Sequence, residues 1–260
     1  MAWNWQGQPK MSNFAYTETL TGEIAVLEND EFRHQAVVMR RRVGDRIRII
    51  DGRGGIYTGR VELVDNRKRI LEAVITERKI RPRPRPLQLL VALPGKNKFD
   101  GIIQKATELG ATRIIPLLTG RTVVKATARR NRADSRREHW RKVAIAACKQ
   151  SGNPFLPEID DPKELGEIND AELDGGLESD RIIFHPPLPG LNSRPLRELA
   201  LREDRPTRLA FGPEGGFSEN EVGLFQKRGY ALAGLGKRIL RLETAITVAL
   251  ALVQEYKRNL

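Results

Sequence analysis

Two patterns of apolar spacing divide the chain. Up to about residue 80, runs of strand length alternate with turn residues: Ile24 to Leu27, Arg46 to Ile50, Ile56 to Val64 and Ile70 to Thr76, parted by Gly44-Asp45, Asp51-Gly52 and Asp65-Asn66. In Arg46-Ile47-Arg48-Ile49 polar and apolar residues alternate singly, the period of a half-buried strand. These runs predict a small β-barrel. One helical stretch interrupts it from about Glu31 to Arg41, with Phe32, Val37 and Val38 apolar and Arg33, Arg40, Arg41 and Arg42 clustered around it.

From residue 87 the pattern becomes strand, helix, strand. Leu87 to Leu93, Arg113 to Leu118, Arg181 to Phe184, Arg208 to Phe211 and Ala231 to Leu235 are short apolar runs. Between the first two, Phe99, Ile102, Ile103 and Ala106 follow helical spacing, with Gly110 placed to end the helix. Ser135-Arg136-Arg137-Glu138 and Ser218-Glu219-Asn220-Glu221 each read as a capping box opening a helix, the first followed by Trp140, Val143, Ala144, Ala147 and Cys148 on one face. A last helix is predicted from about Glu243 to Arg258, with Thr244 able to cap it. Strands alternating with helices imply an α/β fold with a parallel sheet covered on both faces.

The two patterns meet at Arg81-Pro82-Arg83-Pro84-Arg85-Pro86, where proline fixes its own φ and pushes each preceding residue to extended backbone. The expected organisation is therefore a β-barrel domain over 1–80, a stiff basic linker over 81–86 and a second domain over 87–260.

Composition narrows the function. Across 260 residues, 45 Lys and Arg against 33 Asp and Glu leave a net charge of +12. The excess is densest up to the end of the linker, where residues 1–86 hold 17 basic and 11 acidic side chains. Such an excess suits a polyanion such as nucleic acid, because each cation that neutralises a phosphate releases counterions. One cysteine, Cys148, allows no disulfide framework, and His34, His139 and His185 are too scattered for zinc-ligand spacing, so no metal is expected. The longest apolar stretch, Ala245 to Val253, is about half of the roughly 20 residues a bilayer span needs. The residues from Met1 to Trp5 lack a charged-then-apolar signal pattern, and a cytoplasmic location is the expectation.

In an open parallel sheet ligands bind beyond the carboxyl ends of strands. Two segments there stand out. Gly212-Pro213-Glu214-Gly215-Gly216-Phe217 lies between a strand and a capped helix, and its three glycines let backbone approach a ligand closely. Leu235-Gly236-Lys237-Arg238-Ile239-Leu240-Arg241-Leu242-Glu243-Thr244-Ala245 sets Arg238, Arg241 and Glu243 into apolar surroundings before the last helix. Neither segment has the spacing of a phosphate loop or of a dinucleotide fingerprint.

Together these segments closely resemble the C-terminal signature of the RsmE family, bacterial 16S ribosomal RNA uracil-N3 methyltransferases of the trefoil-knotted SPOUT class. The likeness extends upstream through Gln104-Lys105-Ala106-Thr107-Glu108-Leu109-Gly110 with Ile115-Pro116-Leu117, and into His34 to Arg40, Gly44-Asp45 and Asp51-Gly52, which are similar to the family's PUA-like barrel. It covers nearly the whole chain from about residue 14. Near the start the chain has Asn13-Phe14 where the family usually has Arg beside the aromatic, and Lys149-Gln150-Ser151-Gly152-Asn153 departs from its usual acidic and arginine positions.

The resemblance implies S-adenosylmethionine as methyl donor, held by the segment after Phe184 (His185-Pro186-Pro187) and by Gly212, Pro213, Glu214, Gly215, Gly216, Leu235, Gly236, Ile239, Leu240 and Thr244. Because arginine stays charged and offers forked donors, Arg238 or Arg241 is expected to stabilise a uracil anion, with Glu243 to orient the arginine and Glu214 as a lesser candidate for a base. RNA contacts are expected from Arg40, Arg41, Arg42, Arg129, Arg130, Arg136, Arg137, Lys149 and Gln150, and the family implies a homodimer acting on the small ribosomal subunit. A SPOUT enzyme acting on transfer RNA or a ribose 2′-hydroxyl, or a non-catalytic RNA-binding protein, would share much of this pattern.

Overall fold

The structure, a computed structural model, describes residues 14–94, 98–122, 133–186 and 193–257. The chain divides into two compact units: Met1–Arg83 with Ile145–Leu156, and Pro84–Ala144 with Pro157–Leu260.

The first unit holds strands β1 (Ala15–Tyr16), β2 (Leu20–Thr21), β3 (Ile24–Glu28), β4 (Arg46–Ile50), β5 (Gly55–Asp65) and β6 (Ile70–Ile80). They form one sheet in the order β1-β4-β5-β6-β3-β2, antiparallel except for the parallel pair of β1 with β4. The alternation read in β4 is real: Ile47 and Ile49 are buried while Arg46 and Arg48 are exposed. Ile47 and Ile49 pack with Leu27, Phe32, Val61 and Leu71 in the unit's main core. At the turn into β5, Asp51 accepts hydrogen bonds from the backbone N–H of Arg53 and Gly55 and from the Tyr57 hydroxyl at 2.9 Å, so one carboxylate fixes the turn.

Two features of this unit differ from the expectation. The helical stretch is α-helical only over α1 (Asn29–Phe32) and then winds as a π-helix over Arg33–Val38, closed by Met39 N–H on the His34 carbonyl. Phe32 and Gln35 face inward, whereas Val37 and Val38 are exposed to solvent. The second difference is the segment Ile145–Leu156, which the sequence assigns to the later domain. Its Cys148, flanked by Ile145 and Leu156, packs with Phe14, Tyr16 and Ile50, and Lys149 pairs with Glu31 at 2.7 Å. Arg81–Pro86 has no regular structure, as its prolines require.

The second unit contains β7 (Leu87–Ala92), β8 (Arg113–Leu118), β9 (Glu158–Ile159), β10 (Lys163–Glu164), β11 (Asp180–Phe184), β12 (Arg194–Pro195), β13 (Thr207–Phe211) and β14 (Ala231–Gly234). All pair in parallel, in the order β10-β8-β7-β13-β11-β14-β12 with β9 also on β8. Every residue of the central strands β7 and β13 is buried, in keeping with a composition that is apolar apart from Gln88, Thr207 and Arg208. Helices α2 (Lys98–Glu108), α3 (Ala133–Ser151), α4 (Asp170–Asp174), α5 (Glu219–Lys227) and α6 (Leu242–Tyr256) complete the described elements, with α3 running on into the segment counted in the first unit. The box at Ser218 caps α5 as read, with Glu221 returning the bond to the Ser218 N–H at 2.7 Å. The box at Ser135 does not start a helix, because α3 is already under way at Ala133. Nor does Thr244 cap α6: the N-cap is Arg241, and Thr244 lies inside the first turn.

Arg208, in β13, is the one fully buried cation of this unit's described residues. Its guanidinium pairs with Asp170 and with Asp174 (2.6 Å), donates to Gln88 Oε1 (2.9 Å) and meets the Tyr230 hydroxyl at 3.3 Å. The two carboxylates sit on α4, so the arginine ties that short helix to the sheet. Arg208→Met keeps much of the volume but removes the buried cation that Asp170 and Asp174 share, leaving Asp174 to Arg181 (2.5 Å) and Asp170 to Arg228 at 3.9 Å. It should lower the free energy of unfolding by about 3–5 kcal/mol, read from a shifted urea midpoint followed by circular dichroism.

Candidate functional site

The strand register decides where a ligand can bind. Phe184, the last residue of β11, is level with Phe211, the last of β13, and with Ala233 of β14. Three loops therefore leave the sheet side by side. The two phenylalanine rings stack at 4.8 Å between centroids and 8° between planes, making an aromatic floor. Above it lies a cavity of about 580 Å³, lined by residues of the second unit alone.

Glycine makes the walls. Gly216 has φ +69°, and a Cβ there would stand 2.8 Å from His185 Nε2. A Cβ on Gly212 would come as close to the backbone nitrogen of Phe217. No side chain fits at either position without moving a neighbour. The buried His185 ring is held between the Pro186 carbonyl (Nδ1, 2.7 Å) and the Phe217 carbonyl (Nε2, 3.1 Å), clamping the loop after β11 to the loop after β13.

Most of the expected residues meet at this cavity: His185, Gly212, Pro213, Glu214, Gly216, Leu235, Gly236, Arg238, Ile239, Leu240, Arg241 and Glu243 all line it. Gly215 and Thr244 do not. The Gly215 carbonyl instead accepts a hydrogen bond from Arg121 Nη1 at 2.6 Å, and Glu221 accepts one from the Gly120 N–H, fastening the loop after β8 to the loop after β13 and to α5. Pro187 lies outside the described residues. Among the described residues, the side chains of Arg238, Arg241 and Glu243 have no hydrogen-bond or ion-pair partner, so the expected orientation of an arginine by Glu243 is not made here.

Phe184, Phe211 and Lys98 were not anticipated as site residues. The phenylalanines had a readable signal, an aromatic ending each of two strands just before the loops. Lys98 had none, being one lysine ahead of the apolar Phe99. Its ammonium pairs with Glu214 at 2.9 Å across the rim, both side chains about half exposed. That hydrogen bond holds the Glu214 carboxyl below the usual range, and it raises Lys98. An acid held ionised in this way is a weak proton acceptor, which counts against Glu214 as a base.

The expected RNA-binding residues are dispersed. Arg40 and Arg42 are exposed on the first unit, and Arg41 donates to the Arg46 carbonyl at 2.6 Å. Arg136 sits over the Trp140 ring, Arg137 pairs with Asp161, and Gln150 is exposed. The charge of Lys149 is largely taken up by Glu31, with both side chains mostly buried. Arg129 and Arg130 lie outside the described residues. Among the described residues no acidic, histidine and cysteine cluster could hold a metal, and no helix is long and apolar enough to cross a membrane.

Comparison with known proteins agrees with this geometry. The family model described as RNA methyltransferase domain matches residues 81–254, and that described as RNA methyltransferase PUA domain matches residues 27–77. The chain is 35% identical over 217 residues to the ribosomal RNA small subunit methyltransferase E of Synechocystis sp., covering 82% of this chain and 67% of that protein. It is 31% identical over 245 residues to the protein of the same name from Bacillus subtilis, covering 92% and 90%. Among solved structures, the ribosomal RNA small subunit methyltransferase E of Neisseria gonorrhoeae bound to S-adenosyl methionine superposes with a TM-score of 0.79 at 26% identity, over 95% of this chain and 98% of that one.

The rim pair gives a direct check. In Lys98→Met the Glu214 carboxyl loses the hydrogen bond that depresses it, so its titration should move up toward that of an ordinary glutamate, followed by carbon-13 NMR of the carboxyl group.

Proposed function

The chain belongs to the RNA methyltransferase family of the small-subunit methyltransferase E proteins, and we propose that it transfers the methyl group of S-adenosylmethionine to N3 of a uridine in 16S ribosomal RNA. One observation carries the reading: three strand-end loops, closed to side chains at Gly212 and Gly216, surround a cavity with an aromatic floor.

These residues fit a nucleoside-type cofactor. About 580 Å³ is within the range of small-molecule sites. Stacked Phe184 and Phe211 offer apolar surface, and the loops at Gly212–Gly216 and Leu235–Leu240 offer close backbone groups for the edge of a base. Bound there, S-adenosylmethionine would supply a methyl group on a cationic sulfur, which needs no phosphate loop. His185, Pro213, Glu214, Gly236 and Ile239 stand where they would hold it, while Gly215 and Thr244 act from behind the lining.

The chain's own chemistry concerns the acceptor. Uracil N3 carries a proton between two carbonyls, and losing it spreads negative charge onto both oxygens. Arginine stays charged and offers forked donors, so Arg238 or Arg241, exposed at the rim and uncommitted among the described residues, would meet that charge. Glu243, on the first turn of α6, is placed to steer them once substrate arrives.

The same reading extends to form and partners. The second unit is a SPOUT domain with a trefoil knot formed by the cavity loops, and the first is a PUA-like barrel that grips RNA through Arg40, Arg41 and Arg42, helped by Arg136, Arg137 and Gln150. On α6, Leu252 and Tyr256 remain exposed one turn apart while Ile246, Ala249, Leu250 and Val253 are buried. That apolar pair supports a homodimer, and a ribosomal substrate places the enzyme in the cytoplasm.

Calorimetry with S-adenosylhomocysteine should give about one site per chain, lost in Gly216→Val, whose side chain would strike His185. Wild-type protein should methylate 16S RNA at a uridine N3, identified by mass spectrometry of nucleosides. Arg241→Ala should keep the cofactor affinity and slow single-turnover methylation by about 10²-fold, the usual effect of losing one charge-stabilising donor. A folded wild type with no affinity for either cofactor form would refute the assignment.

A further inference from the structure

Lys98 is the one lining residue, among those described, that does not come from β11, β13 or β14, from the loops that follow them or from α6. It opens α2, the helix after β7, and β7 lies beside β13 on the side away from β11 and β14. Arg238 and Arg241 follow β14. The sheet order thus sends cations to the rim from two directions, with the β13–β11 pair and its aromatic floor between them.

Glu214 shows what the ammonium of Lys98 is placed to hold. Its Oε1 is an anionic oxygen 2.9 Å from Nζ, above a cavity with no other cation from that side among the described residues. With both side chains about half exposed, the pair gains little from Coulomb attraction in water. An incoming anionic oxygen can therefore take the carboxylate's place at small cost. The groups that act on Lys98 are Glu214 from the loop after β13, and Glu243 and Arg241 from the start of α6; their net effect keeps it an ammonium rather than a base.

Resting on the methyltransferase reading above, we propose that Lys98 forms an acceptor-base subsite with Arg238 and Arg241, its ammonium taking one carbonyl oxygen of the uracil anion while an arginine takes the other. Glu214 occupies that ammonium until substrate displaces it. In the step so served, the N3 proton leaves to solvent water and the electron pair left on the ring forms the N3–carbon bond. The carbon–sulfur bond breaks with its pair kept by sulfur, so the ring anion and the sulfonium cation neutralise each other. Lys98 moves no proton; it lowers the cost of the anion on one side of N3.

The test is single-turnover methylation of 16S RNA at saturating S-adenosylmethionine across pH 6.5 to about 10, for wild type, Lys98→Met and Lys98→Arg, with S-adenosylhomocysteine affinity measured for each. Lys98→Met should bind the cofactor as wild type does and react about 10²-fold slower at neutral pH. The deficit should shrink as the pH rises, because the anion then forms without help, and Lys98→Arg should recover a large part of the rate. An unchanged rate in Lys98→Met would overturn the proposal. So would a deficit constant across pH, which marks a merely structural role, or a loss of cofactor affinity with normal rate at saturation, which marks a cofactor residue. Wild type that binds the cofactor yet leaves 16S RNA unmethylated would instead sink the methyltransferase reading, and the subsite with it.

Discussion

The site depends on β11 lying between β13 and β14 with Phe184 in register with Phe211 on one side and Ala233 on the other. Because a parallel ladder points every strand the same way, all three chains leave the sheet at one edge and one height. A shift by one residue would put alternate side chains on the opposite face and part the two stacked rings. His185, gripped between the carbonyls of Pro186 and Phe217, and Gly216, which leaves room for its ring, then convert that shared edge into a closed wall.

Stability and chemistry are separated along the same strand. Arg208 and Phe211 are three residues apart in β13, about 10 Å at the rise of an extended chain. The buried ion cluster around Arg208 ties α4 to the early part of the strand, while the aromatic floor and the uncommitted rim charges occupy its end. Charges with settled partners lie where the sheet must not move. Arg238 and Arg241, without side-chain partners among the described residues, line the cavity instead.

Much of this was legible in the sequence where the pattern was long. The five apolar runs became β7, β8, β11, β13 and β14, and the Ser218 box became a cap, since buried strands and capped helices impose their composition locally. The two-residue strands β9, β10 and β12 carry too little pattern to show. Ser135 and Thr244 misled because a capping residue type is common and only the backbone conformation makes it a cap. The loop residues of the site were readable because glycine spacing records where backbone must come close. Lys98 was not, because its place at the rim follows from strand order, a non-local fact.

Cys148 is the chain's single cysteine and it is wholly buried beside Phe14, Tyr16 and Ile50, where burial pushes its thiol up to about 12. At neutral pH it holds almost no thiolate and stays inert to alkylating probes. The native protein is thus already a blank background for labelling: a cysteine placed on either unit would be its only reactive thiol. Spectroscopic distances between the units, or between the protein and RNA, become measurable without first stripping the chain of its own sulfur.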